Sequence, residues 1–111
     1  MVEIPVYFSV EVASGNDEAA VDAMLISNYP NPFSDQTLFE IRLPEDEILQ
    51  LTIYNGNGQV VSSLLNNPVN AGTTKVIWNG TDTYGQKVSK GMYYYQLKAG
   101  NENHSGKLIL K

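Results

Sequence analysis

Ile48-Leu49-Gln50-Leu51-Thr52-Ile53-Tyr54-Asn55-Gly56-Asn57-Gly58 reads as a strand running into a turn. Leu49, Leu51 and Ile53 share one side of the alternation, and Ile48, Gln50, Thr52 and Tyr54 share the other. A period of two is what a strand with one buried face requires. Asn55 to Gly58 supplies residues that tolerate positive φ, as a tight hairpin demands, and Gln59–Leu65 is the returning strand.

On the N-terminal side, Gln36–Leu43 sets Thr37, Phe39, Ile41 and Leu43 against Leu38, Glu40 and Arg42, and Pro44-Glu45-Asp46-Glu47 turns the chain. Tyr29-Pro30-Asn31-Pro32-Phe33 precedes it. Its two prolines fix φ twice and remove two backbone donors, so Asn28–Asp35 is a rigid bend, neither helix nor central strand. Met24–Asn28 is a short strand in front of that bend. On the C-terminal side the reading gives a loop at Asn66–Gly72, a strand at Thr73–Trp78 and a polar connection at Asn79–Lys90. Gly91–Lys98 follows with Tyr93, Tyr95 and Leu97 on one face, then a turn at Ala99–Asn103 and a closing strand at His104–Lys111.

Seven strands from residue 24, separated by Gly, Asn and Pro turns, predict an all-β domain. The expected packing is an immunoglobulin-like antiparallel β-sandwich over residues 24–111, with Trp78, Tyr93 and Tyr95 as the aromatic part of its core. Val2, Ile4, Val6, Phe8, Val10 and Val12 also alternate, which predicts an additional N-terminal strand at 1–13, and Pro5 makes it an edge strand. That strand either pairs with the sandwich or ends an upstream domain, and residues 14–23 are small, polar and acidic, as a linker is.

With 111 residues there is room for one domain, and with no Cys there is neither disulfide nor thiolate site. Met1-Val2-Glu3-Ile4-Pro5 lacks the basic and apolar parts of a signal peptide, so either the protein is cytoplasmic or, the favoured reading, the sequence is the C-terminal piece of a longer protein. The net charge of −5 is split: residues 1–50 hold ten acidic groups and one basic, residues 51–111 two acidic and six basic. The halves are therefore −9 and +4. An acidic chain without basic clusters argues against nucleic acid, whose backbone demands Lys and Arg. A solvated surface accounts for the asymmetry; the sharper reading is a Lys-bearing C-terminal face that meets an acidic partner.

Tyr29-Pro30-Asn31-Pro32-Phe33, Leu43-Pro44 and Leu51 to Val61 are followed by Asn70-Ala71-Gly72, Val76 to Gly80, Asp82, Gly85, Val88 and Gly91 to Tyr95. This ordered series resembles the C-terminal sorting domain of type IX secretion cargo, and its Trp-Asn-Gly to Gly-x-Tyr part resembles the immunoglobulin-like domain of flagellar hook-capping proteins. The resemblance implies a domain recognised in the periplasm by the outer-membrane secretion machinery. A sortase-like protease then removes it, and the cargo reaches the cell surface or the medium. Carried over by position, the recognition elements are Gly91 and Tyr93 with the last strand, Lys107, Leu108, Ile109, Leu110 and Lys111. Cleavage would fall in Ala13–Ala23, around Ser14, Gly15, Asn16 and Asp17.

The residues offer little for catalysis, and no enzyme activity, cofactor or metal is expected. His104, the one histidine, sits at a polar turn-to-strand junction. Glu45-Asp46-Glu47 and Asn79, Thr81 and Asp82 present oxygens, but neither set has the spacing of a calcium loop, and Asp82 reads as an Asx-turn. No Lys-Ser/Thr follows Asn55–Gly58, so a hairpin and not a phosphate cradle is expected there. Tyr93-Tyr94-Tyr95 is a candidate sugar platform, but on a strand only Tyr94 points away from the other two. An open sandwich edge can take up another strand, so the last strand is the candidate docking edge, and residues 2–12 are a candidate pairing element for a homodimer. A structural or carbohydrate-binding accessory domain of a secreted surface enzyme, and a hook-capping-type assembly module, are the competing functional readings.

Overall fold

A computed structural model of the protein describes residues 24–111. The expected strand at 1–13, the linker at 14–23 and the pairing of residues 2–12 between copies lie outside the described residues. The strands are β1 (Leu25–Tyr29), β2 (Thr37–Leu43), β3 (Glu47–Asn55), β4 (Val60–Val69), β5 (Gly72–Trp78), β6 (Gly91–Ala99) and β7 (Glu102–Leu110). They form a three-stranded sheet in the order β1-β2-β5 and a four-stranded sheet in the order β4-β3-β6-β7. All pairings between these strands are antiparallel. This is the immunoglobulin-like sandwich that the alternation predicts.

The inward residues follow the period of two. Phe39, Ile41 and Leu43 on β2 are buried with Leu49, Leu51 and Ile53 on β3, Leu97 on β6, and Leu108 and Leu110 on β7. Each fully buried aliphatic side chain contributes about 1.5–3 kcal/mol. Trp78 sits edge-on to Phe33 at 5.6 Å and to Tyr93 at 5.4 Å between centroids. Its indole N–H donates to Thr81 O at 2.8 Å, so the ring's one polar atom is satisfied. Tyr95 is half-buried, edge-on to Phe39 at 5.1 Å. Its ring covers Gly106 on the neighbouring strand, where a Cβ would stand 2.5 Å from Tyr95 Cε2.

Two boundaries differ from the sequence reading by more than one residue. β4 continues to Val69 through the segment expected to be a loop, because Asn66–Val69 pairs with Glu47–Gln50. β4 is an edge strand, so Pro68 can turn its missing N–H outward without breaking a sheet bond. β7 starts at Glu102 because Gly100-Asn101 closes a two-residue turn that lets β6 and β7 pair to their ends. The β3–β4 register also shifts between Leu51/Thr52 and Ile53/Tyr54. Leu64 and Val61 are the extra residues there, and both pack against the core.

Candidate functional site

β7 lies at the edge of the four-stranded sheet. Alternate residues of an edge strand aim their backbone groups away from the sheet. Over the last turn of this strand those groups are already taken. Asn31 Nδ2 donates to Lys107 O at 2.8 Å, and the Ile109 amide donates to Asn31 Oδ1 at 3.0 Å. The Phe33 amide donates to Ile109 O, and the Lys111 amide to Phe33 O, each at 2.9 Å. Phe33 thereby forms a parallel bridge with Leu110.

The bend that supplies these groups is itself held. Phe33 is 1% exposed and lies against Trp78. The Thr37 hydroxyl donates to Pro30 O at 2.8 Å and accepts from Asn28 Nδ2 at 2.9 Å. The Tyr29-Pro30 and Asn31-Pro32 peptide bonds are both cis. The Pro-Asn-Pro-Phe segment thus ties the three-stranded sheet, through β1, to the last strand of the other sheet. The Lys107–Lys111 edge is paired within the module, and what it offers a partner is side chains.

The recognition residues expected from the sequence divide accordingly. Lys107, Ile109 and Lys111 face solvent, whereas Leu108 and Leu110 are core. Tyr93 is core as well; its hydroxyl donates to Ser89 O at 2.6 Å, and burial raises its pKa above the ordinary 10.0. Gly91 opens β6 opposite Leu110 with φ of +147°, a conformation that L side chains rarely adopt. Ser14, Gly15, Asn16 and Asp17 lie outside the described residues.

A second set of residues joins the exposed three. Met92 pairs with Ile109, Tyr94 with Lys107, Tyr54 with Tyr94, and Val60 with Tyr54. Val60, Met92, Tyr94 and Ile109 are all more than a third exposed, so an apolar band crosses the outer face of all four strands. Sequence reasoning missed this band. Its one signal was phase, since Met92 and Tyr94 alternate with the buried Tyr93. On the opposite sheet Tyr29 is exposed and donates to Glu40 Oε1 at 2.6 Å. That hydrogen bond, with desolvation and the carboxylate charge behind it, raises the phenol pKa.

The groups considered for chemistry have structural partners. Asp46 Oδ1 accepts from the Ala71 amide at 2.8 Å. Asp82 Oδ1 accepts from the amides of Tyr84 at 2.9 Å and Gln86 at 3.0 Å, the Asx-turn the sequence predicts. Asn55 Oδ1 accepts from the amides of Asn57 and Gln59 and closes the β3–β4 hairpin. His104 lies within β7, its Nε2 3.3 Å from Glu102 Oε1. Among the described residues no three His, Asp or Glu side chains are grouped to hold a metal ion.

The FlgD Ig-like domain family matches residues 28–103. The chain belongs to this family. The matched span takes in the proline bend, β2 to β6 and the start of β7. Among solved structures, this FlgD Ig-like domain is similar to part of dimeric latent PorU from Porphyromonas gingivalis. That match has a TM-score of 0.64 and 24% identity, covering 93% of this chain and 10% of PorU. It is also similar to part of PorZ, an essential bacterial surface component of the type-IX secretion system of the same organism. Here the TM-score is 0.54 and the identity 19%, with 78% of this chain and 11% of PorZ covered. These likenesses show a shared fold, and the chain spans about a tenth of the length of either protein. No curated protein matches the sequence.

Proposed function

We propose that this FlgD Ig-like domain is a C-terminal sorting module that directs its parent protein through the type IX secretion system to the cell surface or the medium. The observation that carries the reading is the fold shared with PorZ, a component of that system, over 78% of the chain. The ordered motifs from Tyr29 to Tyr95 support it. In this reading the domain performs no chemistry. It crosses the periplasm folded, docks on the outer-membrane machinery, and is cut from its cargo in Ala13–Ala23 by a sortase-like protease.

The docking surface would combine Lys107, Ile109 and Lys111 with Met92 and Tyr94, their neighbours on β6. Leu108, Leu110 and Tyr93 would hold that surface from behind. Deleting Lys107–Lys111 is a poor test, because it also removes two core leucines and the partners of Asn31 and Phe33. The better test fuses the module behind a signal peptide and a fluorescent reporter, in a bacterium with the type IX system. The intact module exports the reporter, and a Lys107→Glu/Ile109→Ser variant that still folds leaves it in the periplasm. Retention of the intact fusion, or unchanged export of the variant, would remove the reading.

One observation favours a second reading, a carbohydrate-binding accessory domain. Gln50, Thr52, Tyr54, Ser63, Gln96 and Lys98 line a groove of about 320 Å³ on the outer face of the four-stranded sheet. Amides, hydroxyls and one tyrosine are the groups that bind sugars. Saturable glycan binding lost in Tyr54→Ala would move this reading to first place.

A further inference from the structure

Ser34, Asn79, Lys87, Lys90 and Lys111 line a concave pocket of about 220 Å³. It lies where the loop joining β5 to β6 meets the bend after β1 and the end of β7. Its apolar wall includes Val88 and the core residue Leu110. Three of the protein's seven basic residues meet here, two from the loop between β5 and β6 and one from the end of β7, although the net charge is −5. No carboxylate side chain lines the pocket. Like charges around one concavity repel, and an anion between them reverses the sign of the interaction.

The polar groups are fixed to the same end. Lys87 Nζ donates to Asn79 O at 3.2 Å, which ties that ammonium to the pocket rim. Asn79 Oδ1 accepts from the Thr81 hydroxyl at 2.6 Å, so its amide nitrogen is the end left to donate. The loop beneath is braced by the Val88 amide donating to Gly80 O at 2.9 Å and by the Thr81–Lys87 bridge. The lining residues therefore carry three ammonium groups, an amide and the Ser34 hydroxyl, set against the α-carboxylate of Lys111, the last residue of the sequence.

Ligand chemistry follows from that donor set. A planar carboxylate is best read by the two-pronged guanidinium of arginine, and none is present. Lysines act as compact point charges and suit the higher charge density of a phosphate dianion. The volume equals about seven waters, room for one phosphate and the first group esterified to it. We propose that this pocket binds a phosphate group, either free phosphate or the phosphate end of a monoester. The proposal stands independently of the sorting reading.

The test is an NMR titration of the full chain at constant ionic strength, with inorganic phosphate in one arm and glycerol 3-phosphate in the other. Saturable shifts are expected at the amides of Gly80, Lys87, Lys90 and Lys111. Lys87 and Lys90 are exposed, so Lys87→Gln/Lys90→Gln leaves the fold intact while weakening binding about tenfold or more. Lys75→Gln, exposed on β5 and outside the pocket, leaves the affinity unchanged. Tighter binding of the ester identifies an esterified headgroup or sugar phosphate as the natural source, and equal or tighter binding of inorganic phosphate identifies free phosphate. Non-saturating shifts, shifts of equal size around Lys75 and Lys98, or full affinity in the double variant would overturn the proposal.

Discussion

The Ile109 amide donates to the side-chain oxygen of Asn31 across 78 positions of the chain, and the Asn31 side-chain nitrogen returns a bond to Lys107 O. An asparagine side chain carries the same donor and acceptor as a peptide unit. Between two prolines that have no N–H to offer, it stands in for a residue of a neighbouring strand. With Phe33 completing the row, the last strand is finished by a segment that begins in the opposite sheet.

Removing that side chain uncouples the two. Asn31→Ala loses two hydrogen bonds, each worth about 0.5–1.5 kcal/mol, so a loss of about 1–3 kcal/mol is expected. Asn31→Asp keeps the acceptor but sets a second acceptor against Lys107 O, and is at least as damaging. Urea unfolding followed through Trp78 measures the loss. Hydrogen exchange at the Ile109 amide should accelerate in both variants, and unchanged exchange would show that the bond protects nothing.

Neighbours on β7 should differ by several kcal/mol. Leu108 is fully buried, and Leu108→Ala is expected to cost about 2–5 kcal/mol. Lys107 is exposed, and Lys107→Ala should stay within about 0.5 kcal/mol of the parent. Denaturation midpoints of the two variants check this. Equal effects would mean that export data on Lys107 cannot be separated from stability.

Gly106 and Tyr95 form a matched pair. A methyl group at Gly106 would meet Tyr95 Cε2 at 2.5 Å and its Oη at 2.7 Å, too close to stand without movement of the ring. Gly106→Ala should therefore destabilise by about 1–3 kcal/mol. Tyr95→Leu in the same chain should recover part of that loss, seen as a non-additive double-mutant cycle. Simple additivity would mean that the ring moves aside without cost.

Alkali should destabilise the domain through its tyrosines. Desolvation raises the pKa of Tyr93 and Tyr95 above the ordinary 10.0, and the bond to Glu40 does so for Tyr29. Below pH 10.0 these phenols are neutral in both folded and unfolded chains, and their contribution is fully present. As pH rises above 10.0 the unfolded chain ionises first, so stability falls until the folded-state pKa values are passed. Thermal unfolding from pH 8 to pH 11.5 should show this decline, and Tyr93→Phe should flatten it. A midpoint independent of pH would contradict the assignment.

Much of the fold was legible because alternation is a local property. Phe39, Ile41 and Leu43, or Leu49, Leu51 and Ile53, need no partner to declare which face they bury. Asn66–Val69 was not legible, since its composition reads as loop and only pairing with β3 makes it strand. The candidate site was legible in three of its five residues. Lys107, Ile109 and Lys111 point outward as the strand phase requires, but nothing local placed Met92 and Tyr94 beside them. Lys87 and Lys90 carried no signal at all, because a lysine in a polar loop looks solvated until the fold supplies its neighbours.

The sequence by itself determined most of each strand, which face those strands bury, and that Asn28–Asp35 cannot belong to a central strand. These follow from side-chain period, turn residues and proline, all short-range. Only the tertiary structure decided what the Pro-Asn-Pro-Phe segment does, which is to close the edge of a strand more than seventy residues away. It also brought three lysines around one pocket. Both depend on which strand lies at which edge, and sheet order arises from packing two apolar faces together, a contest among distant segments that no local pattern records.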